Sequence, residues 1–301
     1  MSSGPGGLRY MAAAALSFSL MSVLVKVAGR TLPTMEIVLA RSVIITVLTW
    51  VTLRRRRTEL RGREPKLLLL RGLLGFVALS CFFYGVVVLP LADVTVIQYT
   101  NPVFTALFAV PVLGESLRVA EVVLAFASLA GVVMVAQPDV LFSRSPAALD
   151  PTAVGIALCG AVFSAAAYVT VRRLKGEDPV LVVFYFGAFS TVASLPAVVP
   201  IWRTPDALGW VVLLGVGLAT HLGQLCLTLG LHRERAGRAM TVAYLQIVFA
   251  ALWGVVFFGE IPDTWSVVGG LVIVACTFLV ARLHRPAGSP RGAETPPRPG
   301  S

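Results

Sequence analysis

The sequence predicts an all-α integral membrane protein of ten transmembrane helices, built as a 5+5 inverted repeat. Three observations predict it. The 301 residues are 57% hydrophobic and only 13% charged, with a mean hydropathy of +0.85, whereas a soluble domain carries about 25% charge. Apolar runs near 20 residues long recur along the chain, each enough to cross a hydrocarbon core about 30 Å thick. The two halves also repeat one another. Laying Glu260 on Glu115 lays Gly259 on Gly114, Phe249 on Phe104, Gln246 on Asn101 and Tyr244 on Tyr99, all at an offset of 145. Weaker matches at that offset are Phe18 with Phe163, Ser19 with Ser164 and Cys81 with Cys226.

In lipid, backbone polar groups must be satisfied internally, so these runs are helices. They are too long, and too apolar on all faces, for barrel strands. The ten spans read 9–28, 34–53, 67–88, 93–112, 118–136, 152–171, 180–200, 208–231, 236–258 and 264–282. The first, Tyr10 to Ala28, is longer than a signal-peptide core, lacks a convincing A-x-A cleavage site and leads directly into another span. A short tail, 1–8, precedes it. Spans one to five make a first repeat, 9–137, and spans six to ten a second, 152–282. An external linker, 138–151, joins them, and 283–301, rich in Pro, Gly, Arg and Ser, reads as a disordered cytoplasmic tail. Five spans is an odd number, so the second repeat enters the membrane inverted. That places a pseudo-two-fold axis in the membrane plane, an architecture of secondary transporters.

Charge sets the expected orientation. The net charge is +10, but many basic residues cluster between apolar runs, where they determine topology. No nucleic-acid-binding motif accompanies them, so nucleic acid is not an expected partner. With connectors on alternate sides, one side takes 20 basic residues, among them Arg54–Arg57, Arg71, Arg172, Arg173, Arg235 and Arg238. The other takes Lys26, Arg30, Arg144 and Arg203, and Arg41 is left inside a span. Both termini are therefore expected in the cytoplasm. The basic set is rich in Arg and has only three lysines, which hints at a GC-rich bacterial source and hence the plasma membrane.

With these elements in place, the chain resembles the drug/metabolite transporter superfamily, EamA-type branch. The resemblance rests on the ten-helix order, the half-repeat, and the phrases LPTMEIVLARS (Leu32–Ser42), LLLRGLLGF (Leu68–Phe76), LPLADVTVIQYTNPVF (Leu89–Phe104) and LGE (Leu113–Glu115). It covers about 9–282. It implies a 5+5 helical fold with a central substrate cavity and transport of small metabolites, often outward. One departure stands out: Phe186 occupies the position matching Arg41, so any site is asymmetric.

Embedded polar residues are the candidates for function, because each is costly in lipid. Arg41 lies about 10 Å below the external surface at 1.5 Å per residue, where a guanidinium facing lipid costs at least about 2.5 kcal/mol. It is either an anchor for a substrate carboxylate or phosphate, or half of a structural ion pair, with Glu36 and Lys26 near it in sequence. The knot Gln98, Tyr99, Thr100, Asn101 sits mid-span, as do its counterparts Tyr244 and Gln246. Amides and phenols supply hydrogen bonds without a charge, so these read as cavity lining or as interhelical contacts. Pro102 removes a backbone donor and is the candidate hinge. His221 and Gln224 share a face of span eight. The imidazole is a candidate proton carrier, since histidine titrates near neutrality, or else a hydrogen-bonded core residue. Glu115 and Glu260 are gates, turn residues or ion-pair partners of the next helix. The hydroxyl residues Ser17, Ser19, Ser22, Ser164, Tyr168 and Thr170 read mainly as packing.

Nothing points to catalysis. There is no HExxH, no GxSxG, no pair of embedded aspartates and no P-loop. The cysteines Cys81, Cys159, Cys226 and Cys276 fall inside apolar runs without metal-ligand or CxxC spacing, and read as core filling. No cofactor or metal is expected. The expected partners are a small-molecule substrate and the bilayer, with either protons or the solute's own gradient as the driving force. Monomer and homodimer are both compatible with the sequence. The function expected is secondary transport by alternating access, with export of amino acids or related amphipathic solutes. An uptake carrier or antiporter, and a scaffold or membrane enzyme, are the alternatives.

Overall fold

The computed structural model describes residues 6–89, 91–116, 118–137, 141, 150–259 and 262–282. Glu260, most of the 138–151 linker and the 283–301 tail lie outside them. The first half runs α1 (Gly6–Ala28), α2 (Thr34–Arg56), α3 (Pro65–Val88), α4 (Leu91–Gln98), α5 (Asn101–Leu113) and α6 (Val119–Ala136). The second runs α7 (Pro151–Arg173), α8 (Pro179–Val198, continued by a 3₁₀ turn to Ile201), α9 (Ala207–Arg233), α10 (Ala236–Ala243), α11 (Leu245–Phe258) and α12 (Thr264–Arg282). These make ten apolar spans, with α4–α5 and α10–α11 each forming one broken span.

The repeat survives in the helix ends. α7 begins at 151 against 6 for α1, α8 at 179 against 34, α10 at 236 against 91 and α12 at 264 against 119. Each pair differs by the same 145. Gly114 and Gly259 close equivalent helices in the left-handed conformation, at φ 66° and 65°. That is a backbone state only glycine enters without cost. The packing is paired in the same way. α1 lies against α9, and α3 lies against α7; α2 meets α8, and α6 meets α12.

Two contacts join residues to their own counterparts and so lie on the pseudo-two-fold axis. The hydroxyls of Thr46 and Thr191 are 3.3 Å apart. The rings of Tyr99 and Tyr244 stack at 6.1 Å and 30°. A pair of glycine contacts follows the same operator: Gly72 faces Phe189, and Gly217 faces Ile44.

Lipid tails are as apolar as leucine, so helix association here depends on close fit rather than on burial from water. The innermost helices show it. α1 buries Gly7, Ala14, Ala15, Ser17 and Ser19, and α7 buries Ala153, Ala157, Gly160, Ala161, Ser164 and Ala165. Large side chains such as Leu107, Phe126, Leu214 and Leu271 cover the outside. The cysteines depart from the core-filling expectation at one position. Cys226 and Cys276 are buried and Cys81 is partly buried, but Cys159 is exposed. A helix apolar on every face has no amphipathic stripe to say which side meets lipid.

The spans expected as single helices at 93–112 and 236–258 are each broken, at Tyr99–Thr100 and at Tyr244. Pro102 stands in the first turn of α5. It lacks the N–H that would reach the Gln98 carbonyl, and Asn101 Nδ2 donates to that carbonyl instead, at 2.7 Å. Ile247 occupies the matching position in the second half. The break therefore belongs to the repeat, with or without proline.

Candidate functional site

A cavity of about 1190 Å³ lies between the halves. The helix ends define two ends of the bundle: an arginine-rich end, carrying Arg54–Arg57, Arg172, Arg173, Arg235 and Arg282, and an opposite end. The cavity reaches the opposite end at Lys26, Thr34, Gln137, Pro262 and Asp263, of which Lys26, Pro262 and Asp263 are exposed. Its floor, near mid-bundle, holds Arg71, Tyr168 and Gln224.

Below the floor the bundle is closed. Met11, Leu53, Leu68, Leu174, Leu231 and Met240 pack there, each no more than 2% exposed. Polar contacts bind the closure. Arg172 Nε donates to Glu115 Oε1 at 2.9 Å, and its Nη1 donates to the carbonyls of Leu231 and His232 at 3.0 Å. Glu115 Oε2 accepts from Ala236 N at 2.9 Å, so its charge also faces the positive end of the α10 dipole. Arg235 pairs with Glu121 at 3.3 Å and Arg238 with Glu234 at 3.2 Å. Arg238 also donates to the carbonyls of Val280 and Ala281 at the end of α12. A cavity reaching one end and sealed at the other is the geometry of one state of an alternating-access carrier.

Two arginines face this cavity. Arg41, on α2, is 7% exposed. Its Nη1 contacts the Met21 sulfur at 3.9 Å, and its Nε has no partner. The expected pairing with Glu36 does not form. Glu36 turns away and accepts from the Arg203 backbone N–H at 3.0 Å. Arg71, on α3, is 3% exposed. Its guanidinium lies 4.4 Å from the Phe186 ring centroid, and one nitrogen donates to Gln224 Oε1 at 3.3 Å. Its Nε and Nη1 have no partner. The side chain runs over Gly75, and a Cβ at Gly75 would collide with both the guanidinium and the Phe186 ring. Among the described residues, neither arginine has a carboxylate partner. An unpaired buried cation of this kind is costly unless a ligand completes it.

The amides supply the opposite chemistry. Gln98 Nε2 donates to Ser164 Oγ at 3.1 Å, leaving Gln98 Oε1 without a partner. Asn101 is 6% exposed, and its Oδ1 is also unpartnered. The cavity thus presents both guanidinium donors and amide acceptors.

Arg41, Gln98, Tyr99, Asn101, Gln224 and Gln246 come together in this wall. Tyr244 stands behind Tyr99, fully buried, outside the wall. His221 is partly buried on α9, away from the wall, and Pro102 is buried beside it. The topology count groups Arg71 and Arg238 with the basic residues of the connectors on one side. Both are buried instead, Arg71 in the cavity floor and Arg238 in the closure. A signal for Arg71 was present: it stands inside the 67–88 run, with a glycine four residues on. Phe186 and Tyr168 arrive from the other half and carried no comparable signal.

The profile of the EamA-like transporter family matches residues 6–137 and again 151–282. The pseudopaline exporter CntI of Pseudomonas aeruginosa is 36% identical over 269 residues, spanning 88% of this chain and 93% of that protein. Human solute carrier family 35 member G1 is 30% identical over 284 residues, spanning 90% and 78%. A solved crystal structure superposes with a TM-score of 0.78 over 93% of this chain and 99% of its own, at 20% identity, which is a likeness of fold.

Proposed function

The chain belongs to the EamA-like transporter family, and from that premise we propose that it exports a small amino-acid-like organic anion. It is a multi-pass membrane transporter, not an enzyme. The observation that carries the substrate reading is the pair of buried, carboxylate-free arginines, Arg41 and Arg71, in a single cavity. A carboxylate accepts bidentate hydrogen bonds from a guanidinium, and the free oxygens of Gln98 and Asn101 accept from an ammonium or amide N–H. An amino acid or a derivative of one offers both groups.

The arginine-rich end is proposed to face the cytoplasm, by the excess of basic residues on that side. The cavity then opens outward in this state, and the ion pairs around Glu115 seal the cytoplasmic side. Export is favoured because the P. aeruginosa relative, which this chain matches over 93% of that protein's length, is an exporter. The coupling is proposed to be a proton gradient or the solute's own gradient.

Flux of labelled amino acids and organic acids from proteoliposomes tests the proposal. Arg41→Ala and Asn101→Ala are expected to abolish flux while leaving the protein monodisperse, and wild-type flux in both sinks the site. Orientation is checked separately. A cysteine placed at Arg55 is expected to resist an impermeant thiol reagent in intact cells, and rapid labelling there reverses the topology.

A further inference from the structure

The two arginines lie at different depths. The Arg41 guanidinium is level with Met21, about 10 Å below the opposite end at 1.5 Å per residue. That of Arg71 is raised to the level of Gly75, about 15 Å above the arginine-rich end by the same rise. A 23-residue helix such as α1 spans about 35 Å, which leaves roughly 10 Å between the two cations along the membrane normal. They sit against different helices, α1 for Arg41 and α8 and α9 for Arg71. One carboxylate cannot bridge that gap.

We propose that the cavity is a two-anchor site for an elongated solute with anionic groups at both ends, one held by Arg41 and the other by Arg71. The inference rests on the transporter reading above and narrows its substrate class. About three residue-lengths of extended chain cover 10 Å, so the solute is of condensed-amino-acid size rather than a single amino acid. Between the anchors, the free oxygens of Gln98 and Asn101 receive N–H groups along its middle. The stacked Tyr99 offers an apolar face at the same level. Arg71 is pre-positioned by Phe186 and Gln224, so it is ordered before the solute arrives. Among the described residues Arg41 has the soft Met21 contact alone, so its head can swing onto the trailing carboxylate.

Thermal stabilisation of the detergent-purified full chain by straight-chain diacids, from succinate to dodecanedioate, and by matching monoacids tests this. Stabilisation should peak at an intermediate diacid, binding at least tenfold tighter than the monoacid of equal length. Arg41→Gln and Arg71→Gln should each reduce that diacid to monoacid affinity, while Arg41→Lys and Arg71→Lys retain most of it and control for folding. Equal binding of monoacid and diacid, the absence of a length optimum, or diacid affinity unchanged in either glutamine variant overturns the two-anchor site. So does stabilisation by no acid at all. Flux measured on the same preparations separates the two readings. Amino-acid flux without a length optimum overturns the two-anchor site and leaves the exporter standing. A length optimum without flux of any solute supports the two anchors and overturns the exporter.

Discussion

The two halves share a backbone and differ in what they put on it. Helix ends recur at the same offset, Gly114 and Gly259 adopt the same φ, and Tyr99 stacks on its own counterpart Tyr244. The buried charge of the cavity, however, is one-sided. Both cavity arginines come from the first half, and their counterparts are Phe186 and Val216, buried and uncharged. The second half answers with a ring for Arg71 to lie on and an amide to receive it. Two similar halves can exchange postures about an axis, which is what alternating access requires. Recognition needs no such symmetry, and duplicating a buried guanidinium would double its desolvation cost.

The sharpest way to break this asymmetry is to displace the Arg71 head without removing its charge. Gly75→Leu fills the space over which the guanidinium runs. Losing a buried charge contact costs about 2–5 kcal/mol, so flux in proteoliposomes should fall on the order of a hundredfold. Phe186→Leu, which removes only the ring, should lose far less.

The shared frame is tested at the glycine pair. A Cβ at Gly217 would meet Ile44 at 2.5 Å, and one at Gly72 would meet Phe189 at 2.9 Å. Overpacking costs about 1–3 kcal/mol. Thermal unfolding in detergent should show Gly217→Ala near the top of that range and Gly72→Ala below it.

The tyrosine pair separates counterparts more finely. The Tyr244 hydroxyl is buried without a partner, and that of Tyr99 is not among such groups. Relieving an unsatisfied buried hydroxyl is worth about 1 kcal/mol, so Tyr244→Phe should raise the unfolding temperature while Tyr99→Phe should not. The smallest effect is expected at Pro102. Its counterpart is Ile247 and the break persists there, so Pro102→Ala should cost less than about 1 kcal/mol, with flux near wild type.

Much of this frame was legible in the sequence, because span length, composition and the 145-residue offset are local or periodic signals. The helix ends agree with the reading to within a few residues for that reason. The exceptions are tertiary. Arg71 looked like a loop residue because it neighbours a basic connector, and only its contacts with Phe186 of α8 and Gln224 of α9 show that it turns inward. The Glu36–Arg41 pairing looked natural from spacing, but Glu36 finds the Arg203 backbone of the other half. Pro102 drew attention to a break that lies three residues earlier and does not depend on it. His221 looked equivalent to Gln224 on one face, yet only Gln224 lines the cavity. Cys159 carried no mark of its outward face, since its helix is apolar all round.

One cavity, built on two like halves, opens to one end while the contacts around Glu115 close the other. Ser22 lines the cavity, and a Ser22→Cys chain with the four native cysteines replaced reports access to it. In proteoliposomes of known orientation, the ratio of labelling from the two sides by an impermeant thiol reagent is the measurement. Labelling is expected mainly from the opposite end when Glu115 and Arg172 are intact, with a shift toward the arginine-rich end in Glu115→Gln. Equal labelling from both ends in the intact protein, or a ratio unmoved by Glu115→Gln, would contradict it.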